Sequence, residues 1–250
     1  MCRPVGALRS AFATFKAQGV TEVIIDMRYN GGGLLALAGQ FGYMVAGPNI
    51  IQGRYFERTL FNDKYPNTDP ITGAALQPMP FYDRRIDYQA GLLTNDPLPV
   101  VGLRRIFVLS TANTCSASEA FINGLRGVDL EVILIGSQTC GKPYGFYPTD
   151  NCGVTYSTIQ FSGVNAKGFG DYADGLRPTP APQFAADVKG CNVADDLTRP
   201  LGDSARRATF DTTNDALQIA ILPLLFPGSP WNHAIDLVTG AVMVWLLGWH

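Results

Sequence analysis

RRIFVLSTANTCSASEAFINGLRGVDLEVILIGSQTCGK, Arg104 to Lys142, decides the fold of this chain. Two apolar runs, Ile106–Leu109 and Val132–Ile135, each read as a short buried strand running into a polar turn. Between them Ser116-Ala117-Ser118-Glu119 opens an amphipathic helix. Two strands joined by a helix are expected to lie side by side and parallel, which places both turns at one edge of the sheet. Open α/β sheets keep their chemistry at that edge. Ser116, on the first turn, and Lys142, on the second, are therefore expected to be neighbours.

Working outward, Val5, Leu8, Phe12 and Phe15 fall at helical spacing, with Gly19 as the stop. Val23–Ile25 reads as a buried strand that ends in Asp26-Met27-Arg28-Tyr29-Asn30 and the glycines Gly31 to Gly33. Leu34–Ala46 reads as an apolar helix closed by Gly47-Pro48. This strand, turn and helix form the first half of an α/β layer. Arg54–Phe61 alternates like a strand. Asn62–Val100 is rich in Pro, Asn, Asp and Gly, which predicts a lid or binding loop, or a carrier of short strands. Downstream, Val154–Phe161 predicts a strand, Gly168–Pro182 a loop and Gln183–Val188 a helical turn. Beyond Ala205 the apolar stretches Leu217–Phe226 and Ile235–Trp249 are interrupted by Pro223, Pro227, Pro230 and Asp236. Within the second, the uninterrupted run Leu237–Trp249 is shorter than the roughly 20 residues of a membrane-spanning helix and reads as a core or docking segment.

The 250 residues are 46% apolar and 16% charged, with a net charge of -2. Nothing in that balance supplies a basic surface for nucleic acid. The five cysteines contain no CxxC pair, so zinc-type spacing is missing. They read either as small buried thiols or, since Cys140 and Cys152 flank a Gly/Pro/Tyr-rich loop and Cys115 precedes the serine turn, as staples in an oxidising compartment. Met1-Cys2-Arg3 leads into an amphipathic helix rather than a signal-peptide core.

A serine nucleophile needs a base within hydrogen-bond reach, usually histidine. The two histidines, His233 and His250, both lie in the apolar tail. A lysine serves instead when burial holds it neutral, and Lys142 has no acidic residue close to it in sequence. Ser116 has a second reading, because Ser116-x-x-Glu119 is a capping box. If the hydroxyl is the nucleophile, Ser118 or Thr114 is left to cap. The Gly31–Gly33 turn either allows positive φ and close packing or presents N–H groups to an oxyanion. Gly136-Ser-Gln-Thr-Cys-Gly141-Lys142 imitates a phosphate-binding loop. That reading fails at Pro143, which replaces the metal-binding hydroxyl and blocks the helix that should start there.

Together, Asp26-Met27-Arg28-Tyr29-Asn30-Gly31-Gly32, Ser116-Ala117-Ser118-Glu119 and Gly141-Lys142 resemble the motifs of the carboxyl-terminal processing (tail-specific) peptidases of family S41, over roughly residues 5 to 204. The resemblance implies an α/β, ClpP/crotonase-like domain of stacked ββα units. It also implies a serine endopeptidase acting on protein or peptide substrates through an acyl-enzyme, without a cofactor. Ser116 would be the nucleophile and Lys142 its general base, and the backbone N–H groups of Gly32 and Ala117 would form the oxyanion hole. A periplasmic or cell-envelope location is implied in the same way. Residues 1–204 are expected to be the catalytic domain, starting after the point where members carry a PDZ domain, and 205–250 an apolar tail. Phe146 stands where many members place a glutamine that orients the lysine, which leaves the third catalytic group open, with Tyr144 as a candidate. The alternative is a non-catalytic peptide-binding or scaffold domain of the same fold. A Cys115–Cys140 disulfide would hold Ser116 and Lys142 together.

Overall fold

The computed structural model describes residues 3–195, 197–198, 222–224, 235–238 and 241–245. Helix α1 (Arg3–Ala17) ends where Gly19 takes a positive φ of 65°, and strand β1 (Glu22–Asp26) follows. Helix α2 (Leu35–Ile51) breaks at Gly47-Pro48 as expected but then resumes. Gly47 leaves the helical region (φ 69°, ψ 171°), and a Cβ there would lie 2.4 Å from Val100 Cγ1. Pro48 can nevertheless start a helical turn, since the first helical position needs no N–H donor.

The predicted strand at 54–61 shrinks to β2 (Arg58–Leu60), and the long polar stretch carries a hairpin of β3 (Arg84–Asp87) and β4 (Leu92–Pro97). Strand β5 (Arg105–Ser110), helix α3 (Ala117–Gly127) and strand β6 (Glu131–Gly136) form the expected unit. Its strands are parallel, with Arg105 opposite Glu131 and Ser110 opposite Gly136. Next come β7 (Tyr144–Gly145), β8 (Thr149–Asn151), β9 (Val154–Tyr156) and β10 (Phe161–Val164). The single strand expected at 154–161 is thus two: β9 pairs with β8 in an exposed hairpin, whereas β10 pairs with β2 and β7. Alternation there does not mark one buried face, because β9 is exposed throughout.

Strand β11 (Arg177–Thr179) lies in the predicted loop, and β12 (Asp187–Asn192) begins inside the predicted helical turn. Asp187 accounts for the latter difference. Its carboxylate accepts the N–H groups of Gln183 and Phe184 at 2.9 and 3.0 Å, closing a short turn that feeds the strand. Of the segment 205–250, strands β13 (Leu222–Leu224), β14 (Ile235–Val238) and β15 (Ala241–Trp245) are described; the rest, including His233 and His250, lies outside the described residues. No helix among the described residues is long and apolar enough to cross a membrane.

The main sheet has the order β11-β12-β6-β5-β1-β15-β14-β13, parallel from β11 to β15 and antiparallel at the β13 end. Val23, Ile25, Ile106, Val108, Val132 and Leu134 share one core with Phe12, Phe15, Phe41 and Phe121 of the helices. Phe41 stacks on Phe121 at 4.3 Å, and Phe12 meets Phe41 edge-on at 5.6 Å, so the three helices interlock through aromatic rings. That rigid layer fixes where the loops leaving β1, β5 and β6 emerge.

Candidate active site

The turn after β1 is anchored by buried charge. The Arg28 guanidinium grips the Asp26 carboxylate, Nη2 to Oδ2 being 2.7 Å, and reaches Asp195 Oδ1 at 2.5 Å. Asp26 and Arg28 are both buried, and the Tyr29 hydroxyl donates to Asp195. Paired in this way the charges avoid the large cost of burying either alone. They hold Asn30 and the glycines over the sheet edge.

The turn after β5 is laced onto the first. Cys115 N–H donates to Asn30 O at 3.0 Å, Ser118 Oγ donates to Asn30 Oδ1 at 3.0 Å, and Thr114 Oγ1 donates to Met27 O at 2.6 Å. Ser118 and Thr114, both weighed as helix caps, instead join the two turns. Gly32 lies directly against the serine turn: a Cβ there would be 2.7 Å from Ser116 Cβ and 3.2 Å from Ala117 N. Its φ of 113° adds a second reason for glycine. The Gly32 N–H is held by Asn30 Oδ1 at 3.0 Å.

Ser116 caps α3 with φ 56° and ψ -118°, a conformation that costs a non-glycine residue about 1–3 kcal/mol. Glu119 holds it there. This fully buried carboxylate accepts four hydrogen bonds: from Ser116 N–H (2.9 Å) and Lys142 N–H (2.8 Å) on Oε2, and from Thr139 Oγ1 (2.6 Å) and Gly141 N–H (2.8 Å) on Oε1. One side chain thereby fastens the serine turn to the lysine turn. A Cys115–Cys140 disulfide, Cα to Cα 5.3 Å, adds a covalent link between the residues preceding each turn's end. Cys152 and Cys191 are free and exposed, so no staple closes the 140–152 loop.

Ser116 and Lys142 line one cleft of about 480 Å³, along with Glu57, Tyr144, Phe146 and Tyr172. Gly31 and Gly33 also line it, whereas Gly32 and Ala117 line an adjacent, smaller cavity of about 50 Å³. The Ala117 N–H, first in α3, has no acceptor among the described residues. Lys142 Nζ lies over the Phe146 ring, 5.2 Å from its centre. Tyr144 is largely exposed and pairs through its backbone with Ser162. Tyr147 donates its hydroxyl to Asp69 at 2.7 Å, tying the 62–100 stretch to the segment that carries the lysine. Among the described residues no group of three or more His, Cys, Asp or Glu side chains is arranged to hold a metal ion.

Reading the sequence paired Ser116 with Lys142 but took Glu119 only for a cap. Its second role depends on Thr139 and Gly141, 20 and 22 residues away, and no local pattern announces it. Glu57 and Tyr172 carried no signal at all, since each is an isolated residue brought to the cleft by tertiary packing.

A model of peptidase family S41 matches residues 5–145. Among solved structures, a protein from Bacteroides fragilis NCTC 9343 assigned to the S41 proteases is similar at 27% identity and a TM-score of 0.55, covering 69% of this chain and 40% of that one. The photosystem II D1 C-terminal processing protease is similar at 18% identity and a TM-score of 0.46, covering 71% of this chain and 38% of that one. The chain thus spans about two fifths of the length of these structures. No curated protein matches it. The architecture is the mixed α/β, ClpP/crotonase-like fold with a parallel central sheet.

Proposed function

The chain belongs to peptidase family S41, and on that premise we propose that it is a serine endopeptidase in which Ser116 is the nucleophile and Lys142 the general base. The observation that carries the reading is the shared cleft, with both side chains on its wall and their turns fastened together by Glu119. The Lys142 amine takes the Ser116 proton as Oγ attacks the scissile carbonyl carbon. The oxyanion is received by the unoccupied Ala117 N–H at the positive end of α3 and by Gly32 N–H, which Asn30 Oδ1 shares until substrate arrives. The Lys142 ammonium then returns its proton to the leaving amine, giving an acyl-enzyme and a free amino terminus. Water, deprotonated by Lys142, attacks the ester and restores Ser116.

The disulfide beside this site supports an oxidising location such as the periplasm or cell envelope. Substrates are proteins or peptides. The test is hydrolysis of an unstructured peptide panel read by mass spectrometry. Ser116→Ala and Lys142→Ala should each abolish cleavage, and cleavage retained by either variant would sink the dyad.

A second reading, peptide binding without turnover, draws on one observation. The Phe146 ring face stabilises an ammonium at Lys142, whereas the base must be neutral. Peptides bound by the wild-type chain and released intact would favour it.

A further inference from the structure

Glu57 is buried in an unusual way. Its backbone is pinned, accepting Met79 N–H at 2.8 Å, and its side chain lies against β10 at Gly163, where a Cβ would come within 2.3 Å of Glu57 Cδ. The residue is 6% exposed, yet its carboxyl group opens onto the cleft that holds Ser116 and Lys142. Among the described residues no hydrogen-bond donor and no cation reaches that carboxyl group. A carboxyl this nearly buried, without a protein partner, has only the contents of the cleft, water or a ligand, to satisfy it.

The surroundings define that ligand. Gly163 brings no charge, and Tyr172, 2% exposed, contributes a neutral phenol whose ionisation burial and the nearby Glu57 and Glu119 oppose. Lys142 and Tyr144 line the same cleft, and neither Glu57 nor Lys142 takes part in any ion pair among the described residues. Burial pushes the Glu57 carboxyl up to about 7. A cation brought to it would restore the ionised form and satisfy the oxygens. Phe161 and Phe146 on the cleft wall offer apolar surface to an aliphatic stem.

We propose that Glu57 is a specificity-determining residue that selects peptides presenting a lysine or arginine side chain to the cleft. The assignment rests on the cleft being the substrate site, as in the reading above, but not on turnover.

The test separates binding from hydrolysis. Fluorescence anisotropy at pH 8 measures the Kd of Ser116→Ala protein for peptides in which one lysine is moved along an Ala/Ser frame, each matched to a norleucine twin. At the favoured position the lysine peptide should bind at least about tenfold tighter than its twin, the scale of a hydrogen bond to a charged group. Adding Glu57→Gln should reduce that preference below about twofold, and Glu57→Asp should retain part of it. Equal affinity for every matched pair, or a preference that survives Glu57→Gln in folded protein, overturns the assignment. A lysine preference in a chain that cleaves nothing leaves Glu57 in place and sinks the peptidase reading instead.

Discussion

Lys142 Nζ stands 5.2 Å from the centre of the Phe146 ring, a cation–π contact in place of a hydrogen bond donated to the carbonyl of an orienting amide. A cation–π contact at a half-buried site is worth about 0.5–1 kcal/mol, a factor of roughly 2–5. Phe146→Gln, which removes the ring and adds a carbonyl able to orient the amine, should raise kcat/KM at pH 7 by at least about that factor. Phe146→Leu should give the gain from ring loss alone. A fall in kcat/KM for both variants would show that the ring positions the amine.

The four hydrogen bonds to Glu119 set the distance between the serine and lysine turns. In Glu119→Gln, one acceptor oxygen becomes a donor and leaves buried N–H groups facing an NH₂. The expected loss is about 2–5 kcal/mol. At about 2–4 °C per kcal/mol this lowers the Tm by roughly 4–20 °C. Calorimetry checks the loss of stability, and the loosened spacing of the two turns should also lower kcat by more than it changes KM.

Burial raises the Glu57 carboxyl from 4.5 to about 7, so the folded protein binds this proton more tightly than the unfolded chain. Stability is then greatest below pH 4.5 as far as this group is concerned and falls as pH rises from 4.5 to 7. Above 7 the accumulated cost is about 3 kcal/mol. Glu57→Gln should therefore be more stable than wild type in urea at pH 8 and nearly equal to it at pH 4.5. An equal gain at both pH values would mean that the effect is packing and not charge.

The Cys115–Cys140 disulfide closes a loop with a sequence separation of 25, worth about 3 kcal/mol in the chain-entropy account. In folded, non-reduced protein a thiol reagent should label Cys152 and Cys191 and spare Cys115 and Cys140. Cys115→Ala/Cys140→Ala should lower the urea midpoint while Glu119 keeps the two turns together, so that reduced activity persists. Labelling of Cys115 without reductant would contradict the pairing.

The β5–α3–β6 unit was legible because its signals are local: two apolar runs of strand length, a capping serine and a helix period between them. Parallel pairing then carried Ser116 and Lys142 to one edge of the sheet. Three readings differ from the structure in part. Pro48 restarted a helix that Gly47 had ended, the alternating 154–161 stretch was divided between two sheets, and Asp187 turned an expected helical turn into the entry to β12. The cleft's remaining walls were illegible for a related reason. Glu57 comes from the residue before β2, Tyr172 from a loop and Phe146 from the segment after the lysine, and only the folded chain brings them together.

The central claim is that Ser116 forms the covalent intermediate. Its most direct measurement is an acid quench during turnover of an activated peptide ester, followed by intact-mass and peptide mapping. The account predicts a mass increase equal to the acyl group on the peptide containing Ser116, lost in Ser116→Ala and strongly reduced in Lys142→Ala. Turnover with no adduct at Ser116, or the same adduct in Ser116→Ala, would contradict it.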